Sequence, residues 1–406
     1  MKRIVAILVL FGLTGCGYAA KEALFKNPRV QSILDKPTYD RTITHTGTVA
    51  TVGSDEDAIT VLYVTGTPYE MGYEHGKLLA AQVRATISDV EAGELRLLPK
   101  VLRTAAWLSG REKKDIINDL LDRAWEELRP YTPRDDLEEM AGLAAGSGVP
   151  LRVIHRMHAI PDLGETSCSG MVAFGDATRD HHVYQLRILD YGANFGLQQR
   201  PLITVYRPLD GQPFINIGWI GFIGVISGVN RAGVGLSEMG FGNPPGETLR
   251  GTPMPFLLKN VLRYANSAPE GATLIRAAPR TNSYIYFLGD RQGHALGLIT
   301  SAQHCEIHAA NELDKLTVGK HVLPQFKDLV YAGHYDEKQA ELTGQLQGTF
   351  DLATLQDLSR QIAMKSNLHT VIYDLTAAKF WVANRKDTTR AADRPYVEFD
   401  AGAAWH

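Results

Sequence analysis

The chain has 406 residues, 44% of them hydrophobic and 21% charged, an ordinary globular composition with length for roughly two or three domains. Its net charge of −3 carries no bias toward polyanions, and no basic run with interleaved aromatics occurs. Nucleic acid is thereby excluded as an expected partner.

In chain order, the first segment is "MKRIVAILVLFGLTGCGYAA". Lys2 and Arg3 precede an apolar run over residues 4–13, too short to span a bilayer, and the whole reads as a signal peptide. Leu13-Thr14-Gly15-Cys16 resembles a bacterial lipobox. That resemblance implies lipidation at Cys16 and an exported cell-envelope protein that touches the membrane through its lipid alone. An ordinary cleaved signal peptide is the alternative. Residues 1–16 are thus a leader, 17–57 a polar tether and lead-in, 58–167 a mainly helical part and 168–406 a strand-rich part.

"AITVLYVTG" predicts a strand, and the next residues predict a helix start with Thr67 as N-cap, Pro68 first and Glu70 closing a capping box. His75 on that helix reads as an ordinary packed or surface histidine. Helical periodicity continues through "KKDIINDLLDRAWEELRPY", "DDLEEMAGLAAGSG" and "PLRVIHRMHAI". After Cys168 the texture turns strand-like in "SGMVAFG", "HVYQLRILDYG", "PLITVYRP", "PFINIGWIGFIGVISGVN" and "AGVGLSEMGFG". Helices at "MPFLLKNVLRYANS" and "EGATLIRAA" and strands at "SYIYFLGD" and "HALGLITS" follow. A helix near "LATLQDLSRQIAMKS" and strands at "HTVIYDLT" and "KFWVAN" close the chain. The pattern predicts an α+β protein with helices packed on stacked sheets.

Besides Cys16 the chain has two cysteines, Cys168 and Cys305, and a disulfide between them is one reading. The surroundings of Cys168 suggest another. If "CSGMVAFG" and "HVYQLRILD" form a hairpin turning near Thr178, opposed residue numbers sum to about 356. Arg187 and Asp190 are then delivered to Cys168. Residues three apart face opposite sides of a strand, so one of the two must sit at the strand's end or on a bulge. A guanidinium beside a cysteine favours the nucleophilic thiolate, and a carboxylate orients an ammonium or a substrate amide. The only nearby histidines, His181 and His182, lie at the turn end of the hairpin. A histidine from far along the chain is one candidate base; the alternative is the α-amine of Cys168 itself, which requires cutting the Ser167–Cys168 bond.

The stretch from Cys168 through "RILDYG" resembles the Ntn-hydrolase group that contains penicillin acyltransferases and choloylglycine hydrolases. There a cysteine begins a strand and an R-x-x-D pair, matched by Arg187 and Asp190, ends the next. "GFIGVISGVNRAGVGLSEMG" is similar to that group's G-x-N-x-x-G hairpin, with Asn230 and Gly233 in place. "TPYEMGYEHGKLL" and "NLHTVIYD…KFWVAN" are similar to the start and end of its autoproteolytic, penicillin-acyltransferase-like branch. Ser167 stands where that branch often has glycine, and Ile285 where it often has asparagine, three residues after Asn282.

The resemblance implies an αββα sandwich of two stacked antiparallel sheets between helix layers. It also implies self-cleavage before Cys168 and a thioester route on a small-molecule, linear, non-peptide N-acyl amide. Asn282, Asn230 or a backbone N–H is the oxyanion donor, although Asn230 also reads as a turn residue. Trp219, Phe222 and Phe241 line an acyl pocket or simply pack the core. "GLSEMG" lacks the spacing of a serine elbow, so Ser237 reads as a strand residue. "HCEIH" has the order H-x-E-x-H, and no P-loop or dinucleotide fingerprint occurs, so no metal and no cofactor is expected. The rival from another class is a non-catalytic binding lipoprotein in which Cys168 is structural.

Overall fold

Helix α1 (Pro68–Leu78) begins as its sequence predicts, in a computed structural model that describes residues 32–33, 40–97, 109–163, 167–240, 247–312, 314–318, 321–333 and 337–405. The Thr67 hydroxyl accepts from the Glu70 amide at 3.3 Å, and Glu70 Oε2 accepts from the Thr67 amide at 2.8 Å. Helices α2 (Ala80–Leu97), α3 (Lys113–Leu128), α4 (Arg134–Ser147) and α5 (Leu151–Ala159) follow. Helices α1 and α4 meet backbone to backbone. A Cβ at Gly72 would lie 2.0 Å from the Glu139 carbonyl oxygen, and one at Gly142 2.1 Å from that of Tyr69. Glycine is required at both positions by that approach.

The strands are β1 (Thr48–Val52), β2 (Ile59–Gly66), β3 (Ser167–Ala173), β4 (Tyr184–Asp190), β5 (Pro201–Pro208) and β6 (Phe214–Trp219). Next come β7 (Gly228–Asn230), β8 (Val234–Gly240), β9 (Tyr284–Asp290), β10 (Ala295–Thr300) and β11 (Cys305–Ala309). Then follow β12 (Lys315–Val318), β13 (His321–Pro324), β14 (Leu329–Ala332), β15 (His369–Asp374), β16 (Lys379–Asn384) and β17 (Val397–Asp400). Among the described residues they form a large sheet ordered β1-β2-β5-β6-β7-β8-β9-β10-β11 and a smaller one ordered β14-β3-β4-β15-β16-β17, with β12 and β13 paired apart.

The two sheets stack. A Cβ at Gly170 on β3 would meet the Phe287 ring of β9 at 2.3 Å, and Arg187 of β4 reaches Glu238 of β8. On the other face of the small sheet, Met171, Leu186 and Ile188 pack with Phe350, Leu355 and Leu358. Two of these come from α9 (Leu352–Ile362), which follows α8 (Glu337–Gln345). The outer face of the large sheet carries α1, α6 (Met254–Tyr264) and α7 (Ala268–Ala277). The architecture is the expected αββα sandwich.

Strands β11–β14 and β17 and helix α8 are absent from the sequence reading, and three further features differ from it. Strand β1 lies inside the stretch read as lead-in, as an exposed edge strand whose polar alternation is weak. Strand β2 pairs with β5 in parallel, Thr60 opposite Leu202, within otherwise antiparallel sheets. Between them the chain crosses five helices and the β3–β4 hairpin, a connection long enough to return in the same direction. "PFINIGWIGFIGVISGVN" is two strands, because Gly221 at φ 86° turns the chain out after Trp219.

Cys168 and Cys305 are both free, one in each sheet, so they form no disulfide. The leader with Cys16 lies outside the described residues. No helix among the described residues is long and apolar enough to cross a membrane.

Candidate active site

The β3–β4 register opposes Cys168 to Leu189, Gly170 to Arg187 and Ser167 to Asp190. Opposed numbers sum to 357, one from the value expected of a turn at Thr178. Opposed residues share a face, as do residues two apart on a strand. Cys168 and Arg187 therefore project together into the space between the sheets.

Both are fully buried. The guanidinium lies within hydrogen-bonding reach of the Cys168 sulfur, donates Nη2 to Glu238 Oε1 at 2.5 Å and donates Nη1 to the Ile188 carbonyl at 2.7 Å. Burial opposes its charge, but the sulfur and the Glu238 carboxylate outweigh burial and raise the Arg187 pKa above its ordinary value. Burial pushes the Glu238 carboxyl up while Arg187 pulls it back. This is a charge-assisted chain from carboxylate to guanidinium to sulfur, held between two sheets.

Asp190 is the last residue of β4, opposite Ser167, so it leaves the sheet on the other face. Its Oδ1 accepts from the Met364 amide at 3.1 Å. The register thus unites Cys168 with Arg187 and stations Asp190 across from Ser167, on the outer side.

The two asparagines part company. Asn230 donates Nδ2 to the Leu262 and Ala265 carbonyls at 2.9 and 2.8 Å, and its Oδ1 accepts from the Val234 amide at 2.9 Å. It closes the end of α6 and the β7–β8 turn, and the structure does not bring it to Cys168. Asn282 donates Nδ2 to the Asp162 carbonyl at 2.7 Å, on the segment leading to Ser167. The carboxylate of Asp162 accepts from Thr281 Oγ1 at 2.6 Å and from the Met254 amide at 3.1 Å. Its Oδ2 has no partner among the described residues, and burial pushes its pKa up to about 6.

An apolar pocket of about 730 Å³, counted out to its open mouth, reaches Leu189 and Glu238. Trp219, Phe222, Ile226, Met157 and Tyr284 also line it. The aromatic pair Trp219 and Phe222 is therefore pocket wall, while Phe241 falls outside the described residues. Ser237 is a strand residue on β8 that accepts from Gln185 at 3.1 Å, and "HCEIH" lies at the start of β11.

Sequence reasoning missed Glu238, Asp162 and one histidine. His369 opposes Leu189 from β15, two strands or about 10 Å from Cys168. Its Nδ1 meets Asn384 Oδ1 at 3.2 Å and its ring stands edge-on to Trp219 at 5.8 Å. Burial holds its pKa down at about 3, so the ring is neutral. The usable signal for Glu238 was a lone charge inside an otherwise uncharged strand. None existed for His369, whose neighbours come from distant strands.

No model of a protein family matches the chain. Over 352 residues it is 28% identical to protein dcd1B of Dictyostelium discoideum, covering 82% of this chain and 69% of that protein. To protein dcd1A of the same organism it is 25% identical over 365 residues, covering 83% and 81%. Among solved structures it is similar to a Caenorhabditis elegans N-acylethanolamine-hydrolyzing acid amidase ortholog, at TM-score 0.41 and 10% identity over 52% of this chain and 93% of that one. Penicillin V acylase from Agrobacterium tumefaciens gives TM-score 0.36 at 9% identity over 53% of this chain and 83% of that one. These likenesses are remote, and the fold described above rests on its own strands and helices.

Proposed function

We propose that this chain is a cysteine N-terminal-nucleophile hydrolase or acyltransferase acting on linear, non-peptide N-acyl amides. The observation that carries the reading is the buried Cys168–Arg187 contact on the inward face of β3 and β4, beside an apolar pocket that reaches Leu189 and Glu238. A guanidinium there stabilises a thiolate, and the apolar wall suits an uncharged acyl group.

In this reading the Cys168 thiol first attacks the Ser167 carbonyl carbon. The acyl group shifts from nitrogen to sulfur, and water hydrolyses the thioester, leaving Ser167 as a carboxylate and Cys168 with a free α-amine. Such amines titrate near ~7.7–8.0, so it takes the thiol proton at neutral pH. The sulfur then attacks the substrate carbonyl, a backbone N–H or Asn282 holds the oxyanion, and the amine product leaves with the proton. Water or an acceptor amine resolves the acyl-enzyme. Asp190, across from the cut bond, orients the new α-amine. The lipobox adds export and lipid anchoring at Cys16 to the proposal.

The test is turnover of N-acyl amides of graded chain length, with and without an acceptor amine, by wild type and Cys168→Ala, with intact masses of both. Wild type is expected as two fragments meeting at 167/168 and active, the variant as full length and inert. An active but uncut wild type overturns the cleavage and the α-amine base. Absence of turnover on amides, esters and thioesters, with no effect of Cys168→Ala, overturns the enzyme and leaves a binding protein.

A further inference from the structure

The loop between β6 and β7 supplies Phe222 and Ile226 to the pocket wall. The amides of Ile220, Phe222 and Val225 donate to the carbonyls of Arg200, Trp219 and Pro255. Those of Gly221 and Ile223, on either side of Phe222, turn instead to two buried histidines. His75 Nε2, on α1, accepts from Gly221 at 3.1 Å, and His158 Nε2, on α5, accepts from Ile223 at 3.0 Å.

The acceptor role of His75 Nε2 follows from the Gly221 N–H that donates to it, its Nδ1 being without a partner among the described residues, while that of His158 is fixed by the rest of its ring. His158 donates Nδ1–H to the Ile154 carbonyl at 2.8 Å, which leaves Nε2 as a lone-pair acceptor. Its ring also lies flat against Phe222 at 5.0 Å and Phe256 at 5.8 Å. Burial, then the charge of Lys259, holds His75 down at about 3. Burial holds His158 down at about 3 as well, against the pull of its Ile154 bond. Both rings are therefore neutral acceptors throughout the ordinary pH range.

Both histidines precede Cys168 in the chain, and the loop follows it. We infer that His75 and His158 are positioning residues that decide which acyl chains the pocket accepts, by holding the Gly221–Ile223 backbone and through it the Phe222 wall. The inference rests on the amidase reading for the identity of the ligand, while the loop restraint stands apart from it. A merely structural role would weaken all substrates alike. A wall set by two hydrogen bonds selects by length.

His158→Phe keeps a flat ring between Phe222 and Phe256 and removes the acceptor, and His75→Leu removes the other. His158→Gln and His75→Gln keep an acceptor. Two readouts on the full chain decide the matter: amide exchange at Gly221 and Ile223, and kcat/KM for amides from butanoyl to octadecanoyl. In the acceptor-less variants exchange at the freed amide is expected to rise about tenfold. The long-to-short ratio of kcat/KM is expected to move about fivefold toward one. The glutamine variants are expected to restore both. Unchanged exchange overturns the restraint, and accelerated exchange with an unmoved ratio overturns the selectivity. If wild type turns over no amide, relative affinities for fluorescent octadecanoic and octanoic acids supply the ratio, so failure of the amidase reading is told apart from failure of this one. If His158→Phe does not fold, the His75 pair decides by the same outcomes.

Discussion

Full burial of the Arg187 guanidinium is tolerable because Glu238 meets it at 2.5 Å and the Ile188 carbonyl takes a second N–H. Glu238→Ala strands that charge and is expected to lower unfolding free energy by about 3–5 kcal/mol, read from denaturant midpoints. Glu238→Gln keeps an acceptor and should lose less; equal losses would show that the carboxylate's charge alone, and not its hydrogen bond, is what holds Arg187. Asp162 makes a prediction of opposite character. Its ordinary value is 3.8, and in the fold burial raises it to about 6. Within that window the folded chain holds more protons than the unfolded one, so stability falls as pH rises through it and levels off above. Asp162→Asn removes this slope. Its stability relative to wild type should climb from near zero at the lower end of the window to on the order of 2–3 kcal/mol at neutral pH and above. Asp136 on α4, also raised to about 6 by burial, keeps its slope in both proteins and cancels. Parallel stability curves for the two would refute the assignment.

The β3–β4 hairpin shows what local sequence encodes at the scale of elements. A turn position and the two-residue period of strands sufficed to bring Cys168 and Arg187 together, one residue from the observed register. The capping box at Thr67 was legible for the same reason, since its partners are three residues apart. The break after Trp219, the parallel seam and the Arg187–Glu238 pair were not. Each depends on a positive φ at one glycine or on strands far apart in the chain, and no periodicity records such pairings. The same hairpin carries a close inter-sheet approach. Gly170→Ala would drive a methyl into the Phe287 ring, which stands 2.3 Å from the ideal Cβ position. The expected cost is about 1–3 kcal/mol by thermal or chemical unfolding. Reactivity of Cys168 toward a thiol probe should change with it, because Gly170 opposes Arg187. An unaltered midpoint and labelling rate would mean that the sheets part freely there.

At the scale of the whole molecule the two sides of the Ser167–Cys168 bond are woven together. Residues 60–66 on β2 hydrogen-bond along β5, and His75 and His158 grip the loop after β6. The proposed cut product is therefore expected to elute as one particle under native conditions and to separate only in denaturant, as native and denaturing chromatography of wild type would show. Dissociation of the pieces in plain buffer would contradict the shared sheet. The parallel seam has a consequence for time as well as for space. While the chain is whole, β2 and β5 are tethered and their pairing is a first-order event. After the cut, the same pairing in an unfolded sample needs two molecules to collide, so recovery becomes second order and slows on dilution. Maturation by the proposed cut would act as a ratchet: assembly would be easy once, at synthesis, and each later unfolding hard to reverse. Refolding of uncut Cys168→Ala should be independent of concentration, and refolding of the cut wild type should not.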